Sequence, residues 1–270
     1  MSTTSEPVGH LLREWRLRRR MSQLDLASEA EISQRHLSFM ESGRAAPSRD
    51  MVVHLAEQLA VPLRERNRLL IAAGYAPMFS ERALDDPDLA AARKTIDFLL
   101  AGHEPNPAIA VDRGWNLLAA NAAAGVLLHG VDAALLQPAP NVLRISLHPQ
   151  GLAPRIANFR EWRAHVLLRL RQQIEASGDP ALGALLDELS GYPVSGGANA
   201  IRPPHAAPSV AVPFQLLTPH GLLSFIGTIT VFGTPTDITL SEIALETFFP
   251  ADTETAAILR RLATERDAPS

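Results

Sequence analysis

The chain has 270 residues, 46% of them hydrophobic and 20% charged, with a net charge of −4. That length suits one large domain or two ordinary ones, and the balance excludes a largely disordered chain. Cysteine is absent, which excludes disulfides, thiolate metal sites and cysteine nucleophiles together.

No apolar run reaches the roughly 20 residues that a bilayer crossing needs, and Met1–Gly9 is polar without a signal-peptide core, so a soluble, cytoplasmic protein is expected. The charge is unevenly spread. Residues 1–80 carry 11 arginines against 9 acids, whereas residues 81–270 carry 14 basic side chains against 20 acids; halves of opposite sign suit different partners. Within Leu11–Arg20, Arg13, Arg16, Arg18, Arg19 and Arg20 stand against Glu14 alone. An anionic polymer favours such a cluster, and so does the negative end of a helix dipole.

Val8, Leu11, Leu12 and Trp15 recur at helical spacing and predict a first helix ending near Arg19. Ser22 and Asp25 form Ser-x-x-Asp, a variant of the capping box, ahead of Leu24, Leu26, Ala27 and Ala30. A short second helix follows. Ser33 caps a third, with Leu37 and Met40 inward, Ile32 at the corner before it and Gly43 as its stop. Only Glu31 and Ile32 separate helices two and three; helices joined so closely must cross steeply, which is the helix-turn-helix geometry. Ser48 opens a fourth helix carrying Met51, Val52, Leu55, Ala56 and Leu59. A fifth runs from about Leu63 to Ala73, closed by Gly74 with Pro77 beyond.

With Leu37 and Met40 inward, Gln34, Arg35, Ser38 and Ser42 share the outward face of the third helix. Taken alone, Gln34 and Arg35 read equally well as plain exposed residues. Their surroundings say more: Met21-Ser-Gln-Leu-Asp-Leu-Ala27, Ile32-Ser33, Leu37-Ser38, Met40-Glu41-Ser42-Gly43-Arg44 and Pro47-Ser48 together resemble the lambda-repressor-like, or XRE-type, DNA-binding domain over nearly all of residues 8–75. The resemblance implies an all-α five-helix domain at residues 1–77 whose third helix reads the major groove of double-stranded DNA. Ser33, Gln34, Arg35, Ser38 and Phe39 are then the candidate base contacts, with Gln suited to adenine and Arg to guanine. Phe39 stands where the family often has a polar reader. Gln23 beside the Ser22 cap, Ser42, Arg44, Arg13 and Arg16 are candidate phosphate contacts. One such domain reads few base pairs, so a homodimer on two half-sites is expected.

Tyr75–Pro87 contains Pro77, Pro87 and acidic residues, a linker composition, and Leu89, Arg93, Ile96 and Leu100 predict a connecting helix that stops at Gly102. Linker and connecting helix are placed at 78–104. From Ala108 the period becomes two: Ile109 and Val111, an Asp112-Arg113-Gly114 turn, then Leu117 and Ala119, a hairpin pattern. Asn121 caps an Ala-rich helix over Ala122–Leu128. Phe159, Trp162, Val166, Leu170 and Ile174 form one apolar helix face, with Arg160, Arg163, Arg169 and Arg171 outside it. Pro180–Ser190 predicts another short helix, and Gly191–Pro208 a loop. Two strands close the sheet, Val210–Leu217, with Pro213 favouring an edge, and Leu222–Phe232. In the latter Leu223, Phe225, Ile229 and Val231 share one face and Ser224, Thr228 and Thr230 the other, either a pocket lining or a solvated face. Glu254–Arg266 predicts a terminal helix.

Strand, Asp-Arg-Gly turn, strand and an Asn-capped small-residue helix resemble the start of a PAS domain. With Glu65-Arg66-Asn67, Ala72-Ala73-Gly74-Tyr75-Ala76-Pro77, Asn141-Val-Leu-Arg144 and Trp162 followed by Leu170-Arg171, the chain resembles the MmyB-like transcription-regulator ligand-binding family across almost its whole length. The resemblance implies an α+β PAS-like domain with an antiparallel sheet at residues 105–270, in some cases holding a fatty-acid-like molecule. Trp115, Leu117, Trp162, Phe214, Phe225 and Phe232 are candidate pocket walls; Arg144, His148 or His165 could meet a carboxylate, and Thr228 could line the pocket. For each, core packing or surface charge is the plainer reading.

Catalysis finds little support. The nine histidines fall in no His-x3-His or His-Glu-x2-His spacing, and no nucleophile elbow, phosphate loop or dinucleotide fingerprint occurs. No metal and no cofactor are expected beyond a fatty-acid-like effector. The reading is a sequence-specific DNA-binding regulator with an effector-sensing second half; the alternative is a second half that serves only dimerisation or protein docking.

Overall fold

The structure, a computed structural model, describes residues 6–194 and 211–268. The predicted loop from residue 195 to Pro208, and Val210 at the start of a predicted strand, lie outside the described residues. Two compact units emerge. The first comprises Met1–Arg82, Glu175–Gly178 and Pro235–Ser241; the second comprises Ala83–Ile174, Asp179–Thr234 and Glu242–Ser270.

In the first unit five helices follow one another: α1 (Val8–Arg18), α2 (Gln23–Glu29), α3 (Gln34–Glu41), α4 (Arg49–Gln58) and α5 (Leu63–Ala72). The caps foreseen from sequence form. Ser22 Oγ accepts from Asp25 N while Asp25 Oδ2 accepts from Ser22 N, a closed capping box. Those hydrogen bonds from Ser22 hold the Asp25 carboxyl below its ordinary range. Ser33 Oγ accepts from His36 N, and Ser48 Oγ from Met51 N. Leu12, Leu26, Leu37, Met40, Leu55, Leu59, Leu69 and Leu70 form the shared core. Leu24, by contrast, faces solvent.

The sharp corner from α2 to α3 depends on Glu31, which takes a left-handed conformation (φ 53°) and lets Ile32 N reach back to Ala27 O. Gly9 lets α1 approach the end of α3. A Cβ there would stand 2.3 Å from Met40 O. The unit also takes in the short helix α11 (Ile238–Ser241), where Ile238 N donates to Ser80 O and Arg82 pairs with Asp237.

The second unit is α+β. Its elements are α6 (Ala90–Gly102), β1 (Ala108–Val111), β2 (Leu117–Ala120), α7 (Gly125–Leu128), α8 (Val142–Leu147), α9 (Phe159–Ser177), α10 (Pro180–Gly191), β3 (Phe214–Thr218), β4 (Gly221–Val231), β5 (Ala244–Pro250) and α12 (Thr253–Asp267). The predicted connecting helix, α6, is counted with this unit, not as a separate connector. All strands pair antiparallel, in the order β2-β1-β5-β4-β3.

Three expectations need correction here. Strand β5, which sequence reading left unassigned, is the centre of the sheet; its mid-strand Glu246 breaks the alternation that would have revealed it. The hairpin turn is longer than Asp112-Arg113-Gly114, and its left-handed residue is Trp115 (φ 67°), with Asp112 Oδ1 accepting from Gly114 N and Asn116 N. Arg169 does not lie outside the apolar face of α9 but is mostly covered, as described below.

Asn121 ties the hairpin to the helices flanking it: its Oδ1 accepts from Ala108 N and Ala124 N, and its Nδ2 donates to Leu100 O and Asn106 O. Helix α9 buries Phe159, Trp162, Val166, Leu167 and Leu170. Trp162 packs 4.8 Å from Phe214 and donates through Nε1 to Ser146 Oγ.

Candidate functional site

The first turn of α3 is fully presented. Ser33, Gln34, Arg35 and His36 are exposed, Ser38 and Phe39 half-buried, and Leu37 and Met40 buried. His36, which sequence reading passed over, thus stands on the same open turn as Gln34 and Arg35. The Phe39 ring lies under two guanidinium groups, Arg35 at 5.3 Å and Arg44 at 5.8 Å. Such contacts contribute about 0.5–1 kcal/mol each at exposed sites and orient both cations along one flank. Arg13 is exposed on α1, and Ser42 Oγ donates back to Phe39 O.

Arg16 is a correction. Expected to contact phosphate, it is instead buried beneath α3. Its guanidinium grips Glu41 through Nε (2.6 Å) and Nη2 (2.8 Å) and donates to Met21 O, with only 7% of its side chain and 3% of Glu41's exposed. Gln23 Nε2 donates to the same carboxylate at 2.8 Å. Burial alone would push the Glu41 carboxyl up, but the hydrogen bonds from Arg16 and Gln23 win and hold it below its ordinary value. Gln23 keeps one amide hydrogen uncommitted by that bond. The pair fastens the last turn of α3 to α1 and the start of α2.

Glu6, just before α1, and His10 and Glu14 within it are spaced four apart, with His10 Nδ1 2.6 Å from Glu6 and 3.9 Å from Glu14. These three offer ligand-type atoms near enough for a metal, at a spacing outside the His-x3-His and His-Glu-x2-His patterns. All three are exposed, and i,i+4 pairing accounts for them.

In the second unit a cavity of about 70 Å³ opens between α9, α8 and the sheet, lined by apolar side chains including Leu117, Trp162, Val166, Phe214 and Phe248. Of the expected walls, Leu117, Trp162 and Phe214 are therefore present. The others are elsewhere. Phe225 is packed into the core, Phe232 lies past the end of β4, and Trp115 holds Gln173 through Nε1 at 2.7 Å. Thr228 is exposed and shares a 2.6 Å hydrogen bond with Thr247.

None of the predicted anion partners lines the cavity. Arg144 forms a two-pronged pair with Glu188, which also accepts from Tyr192. Burial beside Glu188 pushes the Tyr192 hydroxyl up to about 12, and the His148 ring meets Tyr192 edge-on. His165 lies against Trp162, its imidazole held below the ordinary range by burial and then by Arg169. The charged groups that do line the cavity were missed: Arg169 and Glu246, joined at 2.8 Å, with Arg169 stacked 4.4 Å over Trp115. A charged residue inside a central strand was the available signal. A second, open hollow of about 270 Å³ has Val126, His129, His220, Leu259 and Arg266 among its walls, and none of the predicted ligand residues.

A five-helix unit presenting one exposed, capped helix turn, followed by an α+β unit with an apolar cavity, defines a helix-turn-helix DNA-binding regulator with a ligand-binding module. Residues 12–66 match the helix-turn-helix family model and residues 92–262 match the MmyB-like transcription regulator ligand binding domain; the chain belongs to that MmyB-like family. No curated protein matches the chain. Among the described residues no helix is long and apolar enough to cross a membrane.

Proposed function

We propose that the protein is a cytoplasmic, sequence-specific transcription regulator that binds double-stranded DNA as a homodimer and whose PAS-like second unit takes a small apolar, fatty-acid-like effector. The observation carrying the first part is the open turn Ser33–His36, braced from below by Arg16–Glu41, with Arg35 and Arg44 aligned over Phe39. Gln34 and Arg35 read base edges, with Ser33, Ser38 and Phe39 beside them, while Gln23, Ser42, Arg44 and Arg13 meet phosphates. Selection of bound duplexes from random DNA tests this. Arg35→Ala relaxes preference at one base position, whereas Arg44→Ala weakens all sequences alike; an unchanged preference with Arg35→Ala refutes the assignment.

The effector reading rests on an apolar cavity with one charged pair, the make-up of small-molecule sites. One observation favours the rival reading, a second unit used only for dimerisation or docking: about 70 Å³ is well below the roughly 300–1,000 Å³ of typical ligand pockets. Effector binding therefore requires the cavity to widen. Native mass spectrometry of the purified protein, with thermal shifts across a panel of fatty acids and their derivatives, separates the two. No bound molecule and no shift selects the rival.

A further inference from the structure

The cavity of the second unit carries another polar feature besides Arg169 and Glu246. Ser146 of α8 is among its lining residues and is only 8% exposed. Its Oγ accepts from Trp162 Nε1 at 2.8 Å. An indole nitrogen only donates, so this contact occupies a lone pair of the hydroxyl and leaves its proton uncommitted. Among the described residues nothing accepts that proton. A buried hydroxyl is costly unless its hydrogen bonds are made; here the bond from Trp162 fixes the oxygen while the O–H borders the cavity.

Two elements independently set Ser146 apart from Arg169. On α9, Trp162, Val166 and Arg169 all line the cavity from one helix face, and the first and last are two turns, roughly 10 Å, apart along the axis. On the sheet, Trp162 packs against Phe214, which stands in register with Phe225 and, through it, with Pro250 of β5. Glu246 lies four residues back along β5, roughly 13 Å away. Val166 and Phe248 stand between and line the cavity, and neither side chain forms hydrogen bonds. One end of the cavity thus offers a single neutral O–H. The other offers a guanidinium that commits one of its five N–H groups to Glu246.

We propose that the effector is an aliphatic chain with a neutral oxygen acceptor at each end, one taking the Ser146 O–H and the other an N–H of Arg169. The proposal rests on the effector reading given above and adds to it the second acceptor. A plain fatty acyl chain leaves the Ser146 proton facing hydrocarbon, whereas a carbonyl at that end accepts it. The two donors also set a length, because a chain much shorter than the roughly 10 Å between them reaches only one.

Dimethyl suberate and methyl decanoate have equally long chains, but only the first has an ester at both ends. Isothermal titration calorimetry of the full-length chain with each isolates the second contact. Ser146→Ala is expected to weaken dimethyl suberate roughly three- to tenfold, the worth of one hydrogen bond, and to leave methyl decanoate within about twofold. Ser146→Ala alone strands the Trp162 N–H, so the comparison is repeated in Trp162→Phe, which has no N–H to strand; adding Ser146→Ala there is expected to weaken the diester by the same factor. Equal weakening of both esters, or of neither, overturns the inference and leaves an effector in the cavity. Fatty acids that bind the unmodified chain where neither ester does overturn it as well. No binding by either ester, together with no shift across the fatty-acid panel, overturns the effector reading and this inference with it.

Discussion

Arg16→Ala isolates the buried pair beneath α3. Arg16 donates three hydrogen bonds, two to Glu41 and one to Met21 O, and both charged side chains are almost wholly covered. Removing the cation strands a buried carboxylate that keeps only Gln23 as a partner. Breaking a buried pair from one side costs roughly 3–5 kcal/mol, and in a unit of this size each kcal/mol moves the melting temperature by roughly 4–8 °C, for a fall of about 12–40 °C. Thermal melts followed by far-UV circular dichroism measure it. Arg16→Met with Glu41→Leu removes both charges and recovers most of the loss, since well-packed apolar replacements are often neutral or stabilising. A loss below about 1 kcal/mol, the value of an exposed pair, or no recovery in the double variant, refutes the argument. The pH dependence has a definite sign. Because the folded carboxyl of Glu41 lies below its ordinary 4.5, its contribution is fully present above that value and disappears as pH falls through the folded one. Glu41→Gln therefore flattens the acid side of the melting curve, although Asp25, also held low, retains a share.

Gly9→Ala places a Cβ against the α3 backbone at Met40 O and Glu41 O; about 1–3 kcal/mol is lost, read in the same melts, and an unchanged melt sinks the close-approach argument. Asn121→Ala removes four hydrogen bonds, one of them a helix cap, costing about 2–4 kcal/mol in the second unit; denaturant titration checks it, and a cost under about 0.5 kcal/mol contradicts it. Arg13→Ala lowers the slope of DNA affinity against salt by about one ion, in filter binding at several salt concentrations. A slope identical to that of the unmodified chain removes Arg13 from the phosphate contacts.

The five N-terminal helices were legible because three of them carry a capping serine and all five a helical apolar period. Ser22, Ser33 and Ser48 cap as their positions suggest, and the inward residues follow the helical period. What the period cannot tell is which charged residue on a helix is buried. Arg13 and Arg16 look alike in sequence, yet Arg16 is the one buried and hydrogen-bonded to Glu41, 25 residues away. The same blindness hid the cavity's polar pair. Arg169 and Glu246 are 77 residues apart, and each alone violates its element's pattern: a cation on the inward side of α9, an acid inside a central strand. Each violation is explained by the other, which is information that only the assembled structure contains. Leu223, Phe225, Ile229 and Val231 do share a face as the alternation suggests, but burial divides them: Leu223 and Phe225 are buried, whereas Ile229 and Val231 are exposed.

The cavity pair also constrains the head group of the proposed effector. Arg169 is the cation among the residues lining the cavity, and Glu246, 5% exposed, already neutralises it. A free carboxylate that captured Arg169 would strand Glu246 without a partner, a loss comparable to breaking a buried pair, roughly 3–5 kcal/mol. An acyl chain recovers roughly 0.8 kcal/mol per buried CH2, so about four to six methylenes would be needed only to offset that exchange. A neutral ester, amide or alcohol avoids it, accepting from Arg169 while the pair stays closed. At equal chain length, neutral derivatives are therefore expected to raise the melting temperature more than the free acids. Glu246→Gln reverses that order, since it leaves Arg169 charged and open to an anion. Isothermal titration calorimetry on the intact chain and on Glu246→Gln measures both series, and free acids outranking neutral ligands on the intact chain would show that Arg169 does not stay with Glu246 when the cavity opens.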